Sequence, residues 1–364
     1  MVQPVTVGLD IAKNVFHAYG VDAHGEKVLS RELRRTKVEA FFAKLEPCLV
    51  SIEACATSHH WARTIERLGH RVRLMPPAYV KPYVKTQKND AADAEAICEA
   101  VTRPNMRFAE TKTVEQQSVL VLHRTRAILI THRTRMGNTI RAHLAEFGIT
   151  ESIGRIGLSR LIDMIVSGED ARITDVTRRA LMCLVGQYRL LQNQILELDR
   201  QVLAWHRSNE ASRRLATIPG IGPLAASALV ASVGDASNFK NGRSFAAFIG
   251  LVPKQSSSGG KERLGRISKR GDHYLRWLLV VGGLAVIRYA QRHGTHRPWL
   301  LKLLQRRTTK IAAVAMANKI ARIAWVLMRA AVRIRNPCHR PHRNERAQPG
   351  ALYEVGEGKR KVMQ

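Results

Sequence analysis

Two apolar runs that each end on an acid constrain the fold of this chain most. Val5-Thr6-Val7-Gly8-Leu9-Asp10 and Cys48-Leu49-Val50-Ser51-Ile52-Glu53 are β-rich and nearly free of polar alternation. Short runs of that kind read as buried-type strands of an α/β unit. Strand candidates Val15 to Val21 and Val28 to Leu33 flank the turn Asp22-Ala23-His24-Gly25,. Val38 to Leu45 and Trp61 to Leu68 read as helices, the second stopped by Gly69,. Val72 to Met75 is a strand stopped by Pro76-Pro77, and Ala91 to Val101 a helix with Asp90 near its start.

Three strands followed by strands alternating with helices fit a ribonuclease-H-like sheet, an order that other α/β folds share. The remainder reads as all-α. Leu181, Leu184, Tyr188, Leu191, Ile195, Leu198, Val202 and Trp205 alternate spacings of three and four, the a/d pattern of a coiled coil. An earlier helix, Val114 to Phe147, carries a related stripe through Leu122, Leu129, Met136, Ile140 and Leu144. The partner of either stripe is an intramolecular hairpin or a second subunit. The expected organisation is an α/β unit over 1–110, a helical coiled-coil region over 111–210, a helical unit over 211–335, and a basic disordered tail over 336–364.

Charge selects the partner. The 364 residues carry a formal net charge of +30, spread along the chain rather than gathered in one tail. A long phosphate-binding surface follows, and nucleic acid is the natural polyanion. The five cysteines are odd in number and lack C-x-x-C spacing, which argues against a disulfide framework or a zinc site and fits a reducing cytoplasm. No signal peptide is expected, and the longest apolar run, Trp277 to Ile287, is too short to span a bilayer,. A cytoplasmic, nucleoid-associated protein is the expectation.

Asp10, Glu53, Asp90 and Asp93 form the candidate metal site. Asp90 and Asp93 are three apart and share a helix face. Hard cations such as magnesium take oxygen ligands, and phosphoryl transfer is helped where such ions clamp the reacting oxygens. Singly, each acid is also a turn former or helix cap, and Asp90 could cap its own helix. Further along, Ile218-Pro219-Gly220-Ile221-Gly222-Pro223 precedes an Ala-rich helix. Gly220 and Gly222 would expose N–H groups to a phosphate, as in a helix-hairpin-helix, or would simply pack two helices. The run Ser256-Ser257-Ser258-Gly259-Gly260 reads as a flexible loop among Lys261, Arg263, Arg266, Lys269 and Arg270, candidate phosphate contacts. A serine hydroxyl there is a poor nucleophile without a base or metal.

Taken in order, G-L-D-I-A-K, S-I-E-A-C, K-N-D-A-A-D-A, I-P-G-I-G-P, F-A-A-F-I-G-L-V-P and S-S-G-G-K with I-S-K-R-G-D resemble the DEDD transposases of the insertion sequence 110 family. The resemblance covers about residues 5 to 335. It implies a RuvC-like N-terminal domain whose catalytic acids, Asp10, Glu53, Asp90 and Asp93, bind Mg2+. It also implies a C-terminal transposase domain whose nucleophile falls on Ser258 within the Ser256–Ser258 triplet. Donor and target DNA, a guiding bridge RNA and a homo-oligomer, dimer to tetramer, are the implied partners. One turn departs from the pattern: Glu53 is followed by A-C-A-T-S where relatives often have A-T-G. A RuvC-like, structure-selective DNA endonuclease is the alternative activity, and a non-catalytic nucleic-acid-binding protein the alternative from another class.

Overall fold

The computed structural model describes residues 2–85, 89–295 and 297–329. The tail expected over 336–364 lies outside them. Five strands form one sheet in the order β3-β2-β1-β4-β5: β1 (Thr6–Ile11), β2 (Val15–Val21), β3 (Lys27–Arg34), β4 (Leu49–Glu53) and β5 (Arg71–Met75). The first three are antiparallel, while β4 runs parallel to both β1 and β5. The chain is mixed α/β, but the part expected to be all-α is not entirely so: residues 253–255 and 264–267 form a second, two-stranded sheet.

The two acid-ended runs are the central strands. Val7, Leu9, Val50 and Ile52 point to one face, where α1 (Val38–Phe42) and α2 (Ser58–Arg67) cover them through Phe42, Trp61 and Ile65. The short α3 (Pro77–Val80) leads to α4 (Asp90–Val101), which lies on the opposite face. Ser51 is fully buried beneath α4, and its hydroxyl donates to the carbonyls of Val7 and Ile97. A buried hydroxyl so paired costs nothing for its desolvation and ties helix to sheet.

Two long helices follow, α5 (Val114–Ala145) and α7 (Asp175–Ser208), with α6 (Arg155–Ser167) between them. A capping box at Thr113 and Gln116 starts α5, and Thr174 caps α7. Both satisfy N–H groups that a helix start leaves open. The helices are antiparallel partners within one chain. Trp205 donates to Glu115, Arg126 pairs with Asp199, and Leu181 and Val185 pack with Ile140 and Leu144. Leu191, Ile195 and Val202 of the heptad stripe are buried. The described chain therefore supplies the stripe with an intramolecular partner.

The C-terminal unit packs α8 (Glu210–Leu215), α9 (Pro223–Val233), α10 (Gly242–Phe248), α11 (His273–His293), α12 (Pro298–Arg306) and α13 (Thr309–Arg329) around one core. By length and composition α13, not the run at 277–287, is the helix apolar enough to cross a membrane. Its Ala312, Met316, Ile320 and Leu327 are core residues of this unit. His123 of α5 is buried between Ser227 of α9 and Tyr274 of α11, 3.0 Å from each hydroxyl. This polar link joins the long hairpin to the C-terminal helices.

Candidate functional site

Strand alternation puts Gly8 and Asp10 on the face of β1 that α4 covers. A Cβ at Gly8 would stand 2.2 Å from the Ala94 carbonyl and 2.5 Å from the Cys98 nitrogen, so only glycine lets α4 sit this close. From that contact, two residues of strand advance about 7 Å, and one turn back along the helix advances about 5 Å. Asp10 is thereby brought level with the first turn of α4. The carboxylates of Asp10, Asp90 and Asp93 each place an oxygen within 4.8 Å of the others.

The helix cap is Asn89, whose side chain accepts from the Ala92 N–H at 2.7 Å. Asp90 does not cap its own helix, so both aspartates direct their charge to the cluster. Burial raises the Asp10 carboxyl above its ordinary range, and the charges of Asp93 and Asp90 raise it further. The site is thus short of positive charge. Glu53 ends β4 one residue beyond Ile52, the partner of Leu9, and so stands on the strand beside Asp10. The carboxylates that converge are the three aspartates.

His17 was missed in the sequence. It sits opposite Asp10 on β2, and its Nε2 is 3.8 Å from a carboxylate oxygen of Asp90. The signal was available in the register of the tight hairpin through residues 12–14, which joins β1 to β2 and pairs residues 10 and 17. The turn after Glu53, where the sequence departs from the family pattern, carries Thr57 at φ 71°. A β-branched residue in the left-handed region is strained.

The serine run forms the tip of a β-hairpin. Strands β6 (Pro253–Gln255) and β7 (Leu264–Ile267) are antiparallel, and Ser258 bridges to Lys261 across Gly259 and Gly260. Both glycines have positive φ, 55° and 75°, as tight hairpin turns require. The Gly-Gly pair was the signal in the sequence. Ser257 Oγ accepts from the Arg263 N–H and the Gln255 amide, each at 3.2 Å. Ser258 Oγ makes no hydrogen bond among the described residues, and Ser258 is exposed. Lys261, Arg263, Arg266, Lys269 and Arg270, which follow it from the hairpin's tip to its base, are exposed as well. Arg276, by contrast, is buried and donates to the carbonyls of Ile249 and Arg270, bracing the hairpin's base against α11.

The glycine turn before α9 is divided in role. A Cβ on Gly282 of α11 would meet the Gly220 carbonyl at 1.9 Å, so the turn and α11 meet backbone to backbone. Gly222 is exposed at the cap of α9, where the helix's first N–H groups lie.

All three converging donors are carboxylate oxygens, a hard set that suits a divalent cation, and the raised Asp10 carboxyl marks the charge such a cation would neutralise. No comparable grouping of acids, histidines or cysteines occurs elsewhere among the described residues.

Comparison with known proteins gives the same two regions. A family model described as Transposase IS116/IS110/IS902 family matches residues 212–297, and a DEDD-type Transposase model of IS110 elements matches residues 7–149. The chain is 47% identical to a probable family 20 transposase of Pseudomonas aeruginosa, over 92% of this chain and 98% of that protein. It is 41% identical to the transposase for insertion sequence element IS1328 of Yersinia enterocolitica, over 88% and 96% of the two. It is 40% identical to the transposase for insertion sequence element IS1111A of Coxiella burnetii, over 88% and 89%.

Proposed function

The chain belongs to the IS116/IS110/IS902 transposase family, and from that premise we propose that it cleaves and rejoins DNA during transposition of an insertion sequence. The observation that carries the proposal is the convergence of Asp10, Asp90 and Asp93 within 4.8 Å in a chain of net charge +30. A cluster of acids would repel DNA unless a cation stood between them. The antiparallel-then-parallel order of the sheet supports an RNase H or RuvC-like reading of the unit that holds it.

Asp10, Asp90 and Asp93 would hold Mg2+, with Glu53 on the adjacent strand completing the set. Such an ion supplies Lewis-acid stabilisation of charge developing on phosphate oxygens. Ser258 is the nucleophile of the proposal. Its exposed hydroxyl attacks a backbone phosphorus and loses its proton. The P–O bond to one strand breaks, that oxygen leaves as a hydroxyl, and a phosphoserine ester remains. Rejoining runs the exchange in reverse, with a strand hydroxyl attacking and serine leaving. Lys261, Arg263, Arg266, Lys269 and Arg270 hold the phosphates, and the exposed N-terminus of α9 at Gly222 is a further backbone grip. Gly220 supports that turn from below. A bridge RNA would choose the sequence by base pairing while the protein reads backbone and shape. The acids of one subunit would meet the serine of another in a dimer or tetramer.

The test is cleavage of DNA spanning an element end, with divalent cation and the flanking transcript supplied. The wild type should cleave, while Asp10→Asn and Ser258→Ala should each lose more than about a hundredfold, the scale of removing one group that stabilises a transition state. Cleavage that survives Ser258→Ala but not Asp10→Asn would mean a hydrolytic, RuvC-like endonuclease instead.

A further inference from the structure

Beneath the serine hairpin lies an open groove of about 1690 Å³ that the acidic site does not share. It runs between α10, the β6–β7 hairpin, the start of α12 and one face of α13. Its volume exceeds the range of about 300–1000 Å³ that small-molecule sites occupy, which suits a length of polymer. Arg243, Arg266, Lys269, Lys310, Lys319 and Arg322 line it, and among the described residues no Asp or Glu does. Two tryptophans, Trp299 and Trp325, are set among these cations.

The tryptophans are the informative part. Trp299 is exposed, with Lys319 Nζ 4.7 Å from its ring centroid. Trp325 is held by its Nε1, which donates to the Ala236 carbonyl at 3.1 Å. Charge alone would serve for any phosphate backbone. An exposed indole beside a cation serves a base whose face is open, because stacking needs an unpaired base. A duplex keeps its base faces covered by their neighbours. The chain beyond Arg329 is itself basic, so charge argues against it as the occupant. Exposed Ile311 and Val326 give the groove an apolar floor, which further favours bases over free anions.

We propose that this groove binds an unpaired nucleic-acid strand, stacking a base on Trp299 and holding phosphates with Lys319, Arg322 and Arg266. The inference extends the proposed strand exchange, since the groove's wall is the hairpin that carries Ser258. Its readout is binding, which does not require that exchange to occur.

The experiment is fluorescence anisotropy of labelled short strands with the full-length protein, using single-stranded DNA, single-stranded RNA and a blunt duplex of the same sequence. Trp299→Ala should weaken single-strand binding about fivefold or more, the lower bound for losing one stacked base. Duplex binding should change by less than about twofold, and Trp299→Phe should restore most of the loss. Lys319→Glu with Arg322→Glu should flatten the dependence of log affinity on log salt by about 1.4, two phosphate contacts at about 0.7 each. Trp299 is 39% exposed, so a melt of Trp299→Ala is run beside that of Trp299→Phe, which keeps a packed ring, to separate lost stacking from lost fold. Whichever strand loses more in Trp299→Ala, DNA or RNA, is the groove's preferred source, and either supports the proposal. Unchanged single-strand affinity in Trp299→Ala, or an equal loss for strand and duplex, would overturn it. If Ser258→Ala proves fully active while Trp299→Ala loses strand binding, the serine mechanism fails and the groove stands.

Discussion

Replacing Asp10 by Asn should make the metal-free protein more stable while removing its response to divalent cations. The magnitude follows from the cluster. At the outer limit of 4.8 Å, two such charges repel by about 0.9 kcal/mol at a water-like dielectric and about 3.5 kcal/mol at an effective value near 20. Asp10 and Asp93 are only partly buried, so solvent screening selects the lower figure, about 1 kcal/mol. The sign with pH is fixed by the raised Asp10 carboxyl. The folded state holds this proton more tightly than the unfolded state does. The resulting stability is full below the unfolded value of 3.8 and is lost as pH rises through the higher folded one. Asp10→Asn removes that loss. In EDTA at neutral pH its melting temperature should therefore exceed the wild type's by roughly 2–4 °C. Adding Mg2+ or Mn2+ should raise the wild-type melt and leave Asp10→Asn nearly unmoved. Scanning fluorimetry with and without EDTA reads both effects. A mutant no more stable than wild type in EDTA, or stabilised equally by the cation, would refute the reasoning.

Gly8→Ala should cost about 1–3 kcal/mol by overpacking and abolish the cation-induced rise in melting temperature, because a methyl 2.2 Å from the Ala94 carbonyl must push α4 off the sheet; thermal melts with and without cation check this. His123, whose pKa burial and Arg126 hold down at about 4, contributes stability present above its unfolded value of 6.5 and lost as pH falls through about 4. Urea midpoints should drop over that window, by about 3 kcal/mol for this group, and the drop should be shallower in His123→Gln. Leu191→Asp should cost roughly 3 kcal/mol or more by burying a charge against α5; circular dichroism and limited proteolysis should show the α5–α7 hairpin opening, and unaltered digestion would count against an intramolecular partner.

The acid-ended strands were legible because strand periodicity and burial are local properties, and the α/β sheet follows from them. That Asp90 and Asp93 would reach Asp10 was not legible from spacing. It depends on Gly8 admitting the backbone of α4, a contact between residues about ninety apart in the chain. The sequence offers Asp90 as a possible cap of α4, and the structure uses Asn89 instead. The heptad stripe of α7 announced a partner without saying whose, since the same stripe packs equally well within or between chains. Ser and Gly are flexible in isolation, but Gly-Gly between Ser258 and Lys261 supplies the two left-handed residues that a tight hairpin needs,. His17 follows only from the register of one strand pair, and the tryptophan groove from the juxtaposition of four elements.

The central claim is that Ser258 and the acidic cluster act together on one phosphodiester. Labelled DNA carrying an element end, incubated with protein, divalent cation and the flanking transcript, then denatured, should yield a covalent protein–DNA species. That species should disappear in Ser258→Ala while persisting in Ser256→Ala and Ser257→Ala, and it should fall sharply in Asp10→Asn. Cleaved DNA without any covalent species in the wild type, or a species that survives Ser258→Ala, would contradict the account.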